Sequence, residues 1–173
     1  MTRVLVVGAV APSPRALALA DLVELRLDLG AEAHATAVRA AGARCLVTLR
    51  SAREGGRFSG TSVEAAARLA AAADAVDAPW VDAERDVVAP LRARLRPGRA
   101  ILASLHGTGP VDLPREGVGA WKVARPVDDG AALAAALDEA RAWARAHLLG
   151  QAPPTTVVPY GAQTETSLER MNV

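Results

Sequence analysis

Cysteine is almost absent from this chain. A single residue, Cys45, excludes an internal disulfide and leaves no thiolate cluster for zinc, the usage expected in a reducing cytosol. Aromatic residues are nearly as scarce, at 3% of 173 positions, while hydrophobic residues reach 51%, so the core has to be built from Ala, Val and Leu. There is no basic run, and with a net charge of +1 and five aromatics (three Trp, one Tyr, one Phe) the chain carries no nucleic-acid footprint. Asp, Glu and Arg interrupt the Ala-rich runs well short of the roughly 18 apolar residues of a membrane span. The N-terminus also lacks a charged segment followed by a cleavable apolar one. No Gly-x-Gly-x-x-Gly follows the first apolar run, and no Gly-rich loop ends in Lys-Ser/Thr, which argues against nucleotide binding. These absences predict a soluble, cytoplasmic protein with neither nucleic-acid nor membrane partners. The length suits one domain, residues 1–173.

The most telling scarcity is lysine. Of 20 basic residues only Lys122 is lysine, which leaves nineteen arginines (20 − 1). Guanidinium stays protonated in proteins, whereas an ε-amine can shed its proton and attack a carbonyl carbon. Lys122 lies in the apolar run Val118–Ala124, a costly setting for an idle ammonium. The alternative is a lysine kept by chance in an Arg-rich composition, its stem lying along a strand end.

Short apolar runs alternate with helical patterns along the chain. Strands are expected at Val4–Gly8, Leu22–Asp28, Cys45–Arg50, Ala78–Glu84, Ala100–His106, Val118–Ala124 and Thr155–Pro159. Helices are expected at Pro14–Ala20, Ala31–Ala41, from Thr61 or Ser62 to about Ala75 with Glu64 assisting the cap, Val87–Leu95, and Asp128–Leu149 with Leu133, Leu137 and Trp143 on its apolar side. Arg53–Gly60 reads as a glycine-rich loop, Gly107–Gly117 as a connection without helical period, and Gln163–Val173 as a polar tail or short helix. Strand–helix alternation predicts a parallel α/β sheet with right-handed crossovers. Ionisable residues recur at the strands' C-terminal ends: Glu24, Arg26 and Asp28, then Arg50, Asp82 and Glu84, His106, and Lys122. In a barrel such ends converge on one mouth, so the pattern favours an incomplete, TIM-like (β/α) barrel of about seven strands over an open sheet.

Each of these residues has a plainer reading alone. Glu24, Arg26 and Asp28 could form the exposed face of an edge strand, Asp82 and Glu84 could be solvated, and His106 could be a structural histidine. Their order is more specific. Glu-x-Arg-x-Asp (24–28), Thr-x-Arg-x-x-x-Glu-Gly-Gly (48–56), Asp-x-Glu (82–84), Ser-x-His (104–106) and Lys-Val-Ala (122–124) follow one another, each at a strand end. The series resembles the type I 3-dehydroquinate dehydratases, the Schiff-base enzymes of the shikimate pathway in aromatic amino acid biosynthesis, over about Val4 to Gly161. That resemblance implies a (β/α)8 barrel that removes water from the small-molecule substrate 3-dehydroquinate to give 3-dehydroshikimate, with no metal or organic cofactor. It implies Lys122 as the imine-forming lysine, His106 as general base and acid, and Glu54 as the glutamate orienting that histidine. Glu24, Arg26 and Arg50 match residues that line the substrate's hydroxyls and the imine region.

The residue types suit that chemistry. A protonated imine is an electron sink that makes removal of the neighbouring proton feasible, and imidazole can take that proton and return one to the leaving hydroxyl. The amine must be neutral to begin, and burial with Arg26, Arg50 and Arg125 nearby is expected to lower its pKa. The chain departs from the family pattern in places. Gly107-Thr108 stands for Asp-Phe after the histidine, and a breaker-rich loop replaces the helix before Lys122. Tyr160-Gly161 matches a Met-Gly, but Ser167-Leu168 stands where Ser-Arg binds the substrate carboxylate; Arg170 lies two places on. The eighth strand, with its substrate loop, has no counterpart. Two unpaired barrel edges are an aggregation liability, so a homo-oligomer, a dimer whose second subunit covers the gap, is expected unless the chain is a truncated piece. Two other functions fit the pattern: a Schiff-base lyase or aldolase acting on another keto acid, and a non-catalytic barrel used for binding.

Overall fold

The computed structural model describes residues 6–9, 22–30, 45–108, 110–114, 116–126, 129–147 and 156–160. Seven parallel strands form one sheet in strictly sequential order: β1 (Val6–Ala9), β2 (Leu22–Arg26), β3 (Cys45–Thr48), β4 (Trp80–Glu84), β5 (Ala100–His106), β6 (Ala120–Pro126) and β7 (Thr156–Tyr160). The helices described are α1 (Ser62–Ala75), α2 (Val88–Arg92) and α3 (Gly130–His147). Sequential order with parallel pairing requires a crossover after every strand, the pattern of a (β/α) barrel. Among the described residues no pairing joins β7 to β1, so the barrel is incomplete, as expected. The expected helices at 14–20 and 31–41 and the tail at 163–173 lie outside the described residues, as do the side chains of Leu133, Leu137 and Trp143.

Strand register sorts the side chains. Successive residues point to opposite faces, and every pairing sets even beside even: Arg26 beside Thr48, Thr48 beside Asp82, Glu84 beside Ser104, Ser104 beside Lys122. The even-numbered face therefore carries Glu24, Arg26, Thr48, Asp82, Glu84, Ser104, His106 and Lys122. The odd-numbered face carries Val23, Leu25, Cys45, Val47, Val81, Ala83, Ile101, Ala103, Trp121 and Val123, all buried, and packs with Ala65, Ala66, Leu69 and Ala73 of α1 and Val88 and Leu91 of α2. Completely burying a side chain such as Leu69 or Leu91 contributes about 1.5–3 kcal/mol, so this outer layer, assembled from small aliphatic residues, holds the sheet to its helices.

α1 begins as the sequence suggests. Thr61 is the N-cap: its Oγ accepts from the Glu64 backbone N–H (3.2 Å), and the Glu64 carboxylate accepts from the Thr61 N–H (2.7 Å). The long connection 107–117 has no helix among its described residues, but it is anchored: Leu113 is buried and the Trp121 indole donates to the Pro114 carbonyl at 2.8 Å. The expected strand at 22–28 is shorter. β2 stops at Arg26, and Leu27–Leu29 form a 3-10 turn ended by Gly30 at φ 77°. The Leu-Arg-Leu-Asp alternation mimics a strand there, but Asp28 turns inward to collect hydrogen bonds that a continuing strand would forfeit.

Candidate active site

The polar residues of the even face meet in one network at the strands' C-terminal ends. Asp82, fully buried, lies at its centre. Its Oδ2 accepts from Lys122 Nζ at 2.7 Å, and its Oδ1 accepts from Arg50 Nη2 at 3.0 Å and from the Ser104 hydroxyl. Glu24 Oε1 is 3.8 Å from the same amine and accepts from the Thr48 hydroxyl at 2.8 Å. Arg50 leaves β3 and folds back inside, where Nη1 donates to Ser104 Oγ (2.9 Å) and lies 3.5 Å from Glu54 and 3.6 Å from Glu84. Glu54 in turn meets His106 twice, accepting from its backbone N–H at 3.1 Å and pairing with Nδ1 at 2.9 Å. A carboxylate there selects the tautomer with the proton on Nδ1 and leaves the lone pair on Nε2.

Glu54 reaches the ring because a tight loop carries it there. Residues Ala52–Glu54 form a 3-10 turn, closed by hydrogen bonds from Glu54 N and Gly56 N to Ser51 O, while Ala52 N donates to Phe58 O and Phe58 N to Arg50 O. Gly56 has no room for a side chain: a Cβ would lie 2.1 Å from the Arg50 carbonyl oxygen. Gly56→Ala is therefore expected to cost well over the ~1 kcal/mol of an average substitution, read as a lower urea midpoint. An unchanged midpoint would show that the loop relaxes freely.

Six site residues were expected from sequence, and all six share this network or its rim. Glu24, Arg50, Glu54, His106 and Lys122 are linked as described. Arg26 is held by Asp28 through two hydrogen bonds (2.9 and 2.7 Å), and Asp28 also accepts from the backbone N–H groups of Arg50 and Arg57. One expectation needs correction. Arg125 does not crowd Lys122; it is odd-numbered, faces outward, and pairs with Glu139 of α3 and the Gly107 carbonyl. The direct partners of the amine are carboxylates, Asp82 and Glu24, not guanidinium groups.

Comparison with known proteins bears on the family and the fold. Residues 10–109 match the sequence model of the type I 3-dehydroquinase family. The chain belongs to that family. The dehydroquinase match ends before Lys122, which β6 brings to the site. A type I 3-dehydroquinate dehydratase from Clostridium difficile superposes with TM-score 0.60 at 14% identity, over 83% of this chain and 66% of that one, so this chain spans just under two thirds of that relative. The 3-dehydroquinate dehydratase of Enterococcus faecalis gives TM-score 0.61 at 16% identity, over 92% of this chain and 80% of that one. That of Aquifex aeolicus gives 0.58 at 17%, over 95% and 82%. At such identities these structures establish the fold, an incomplete dehydroquinase-type barrel. No curated protein matches the chain in sequence.

In this network the electrostatics follow from crowding and burial. Burial above all, then Arg50 and Lys122, push the His106 imidazole down to about 3, against the opposing pull of Asp82 and Glu24. Burial raises Glu54 above the ordinary glutamate value although Arg50 and the His106 N–H favour its charge. Asp82 is held well below the usual carboxylate range because Arg50 and Lys122 overcome its desolvation. The sign for stability is definite. Unfolded His106 binds a proton near pH 6.5, whereas the folded ring refuses it until about 3, so its contribution is intact above 6.5 and is lost as pH falls between those values. His106→Gln should flatten the fall in unfolding free energy between pH 6.5 and 4; identical slopes in parent and variant would contradict the depressed value.

Thr48, Ser104, Asp82, Glu84 and Asp28 are parts of the network that residue-by-residue reasoning undervalued. Asp82 and Glu84, which read equally well as solvated residues, are buried. Even-to-even strand spacing was the signal that could have identified them.

Proposed function

We propose that the protein is a 3-dehydroquinate dehydratase working through a Lys122 imine, with His106 as the acid and base. The observation carrying this reading is the placement of the sole lysine and of His106 on one inner face of adjacent strands, joined through Asp82, Arg50 and Glu54. The Lys122 ammonium gives up one proton, the freed amine adds to the substrate ketone, and that proton returns to the departing oxygen, so that water leaves and a protonated imine remains. His106 Nε2 takes the adjacent proton, the electron pair moves into an enamine, and the β-hydroxyl leaves as water with the proton that His106 returns. Hydrolysis then frees the enone and regenerates the amine. Glu54 holds the ring's tautomer. Glu24 and Arg26 line the hydroxyl side of the substrate; Arg50 does so while tying Asp82 to Ser104. The proposal includes a cytoplasmic homodimer that covers the β1 and β7 edges, testable by light scattering at micromolar concentration.

Borohydride reduction with 3-dehydroquinate tests the chemistry: a mass increase on Lys122 is expected. An adduct with another keto acid but not with dehydroquinate would reassign the substrate. No adduct with either would leave a binding barrel. Because the folded imidazole stays neutral down to about 3, the rate profile should show no acid limb from His106 near pH 6.5.

A further inference from the structure

We propose that Glu84 is a positioning residue for the His106 imidazole, acting through the turn that carries Glu54. The inference deepens the dehydratase reading and rests on it for its kinetic consequences, though not for its geometric ones. Glu84 ends β4 with its side chain 2% exposed, and its Oε1 accepts from the Ser51 backbone N–H at 2.7 Å. Ser51 is the pivot of the loop, since its carbonyl accepts from Glu54 N at 3.1 Å and from Gly56 N at 2.8 Å. The chain of contacts therefore runs from Glu84 to Ser51, through the 3-10 turn to Glu54, and from the Glu54 carboxylate to His106 N and Nδ1.

Both ends of that chain are fixed to the same strand pair. β4 pairs with β5 with Glu84 beside Ser104, two residues before His106. β4 thus holds the orienting carboxylate through Ser51, and β5 holds the ring that it orients. Reach rather than charge is what the contact requires. Oε1 carries the bond from the Ser51 N–H, while Oε2 lies 3.8 Å from Arg53, a side chain 71% exposed that already pairs with Asp86 at 2.8 Å. An amide nitrogen in place of Oε2 would meet a guanidinium free to swing aside. Shortening the side chain by one methylene would instead draw the acceptor from Ser51 and shift Glu54.

Three substitutions separate the possibilities. Glu84→Gln keeps the acceptor and should leave the 15N spectrum of the His106 ring close to the parent's. Glu84→Asp keeps the charge but not the reach, and should lower kcat about tenfold to a hundredfold with KM little changed, the scale of an ångström's misplacement. Its His106 Nδ1 signal should also move as the bond to Glu54 lengthens. Ser51→Pro deletes the same N–H at a φ of −72° that proline accepts, and should reproduce the Glu84→Asp spectrum if that variant does not fold. A parent-like His106 ring spectrum in folded Glu84→Asp or Ser51→Pro would overturn the proposal, as would equal ring shifts in Glu84→Gln and Glu84→Asp. The ring spectrum needs no substrate, so a protein without dehydratase turnover would still answer the question.

Discussion

Lys122→Arg is expected to lower dehydratase kcat at least a thousandfold while leaving the unfolding midpoint nearly unchanged. Removing a covalent nucleophile costs about that much or more, because the reaction loses its electron sink and not merely a favourable contact. Arginine retains the positive charge that Asp82 faces at 2.7 Å, so the buried carboxylate keeps a cation beside it and the fold keeps its electrostatic balance. Guanidinium cannot form the imine. Turnover by the variant above about a thousandth of the parent rate, with 3-dehydroquinate and urea denaturation run in parallel, would refute covalent catalysis at Lys122. A large loss of stability alongside would instead mark the lysine as structural.

Asp82→Ala should produce the largest loss of stability of any single substitution at the site, about 3–5 kcal/mol, the usual cost of stripping one partner from a buried ion pair. The carboxylate serves Lys122, Arg50 and Ser104 together, and Arg50 has no means of shedding its charge. Joint replacement, Arg50→Met with Asp82→Leu, removes the uncompensated cation along with its partner and should recover much of that loss. Urea titrations of the two variants and the parent decide the matter. An Asp82→Ala midpoint within the range of an ordinary surface substitution would mean that the network is wetter than its burial indicates. Two other carboxylates report the same crowding. Arg26 and the N–H groups of Arg50 and Arg57 hold Asp28 below its ordinary value despite burial, whereas burial and the neighbouring Glu54 raise Glu84 against the pull of its bonds from Ser51.

The structural comparisons and the odd–even sorting of the strands bear on different parts of the problem. Relatives at 14–17% identity fix the architecture. The identity of the inward residues and their mutual distances are properties of this chain. Both Lys122 and Arg125 belong to one strand and lie three residues apart, yet only the first reaches the mouth. An odd offset along an extended chain reverses the face, and this is why a basic residue close in sequence is remote in effect.

Much was legible from the chain itself. The period of two in Leu22–Arg26, the apolar runs at β3, β5 and β6, the Thr61–Glu64 cap and the order of the motifs fix the strand sequence and identify the residues able to do chemistry, because backbone pleat and cap hydrogen bonds are local. Tertiary structure alone decided the rest. Local pattern could not show that β2 yields to a 3-10 turn at Leu27, that Asp82 rather than an arginine meets the amine, or that Ser51 and Glu84 fix the loop carrying Glu54. Those contacts join residues 22 to 54 positions apart, across strands whose register is set by packing of the opposite, apolar face.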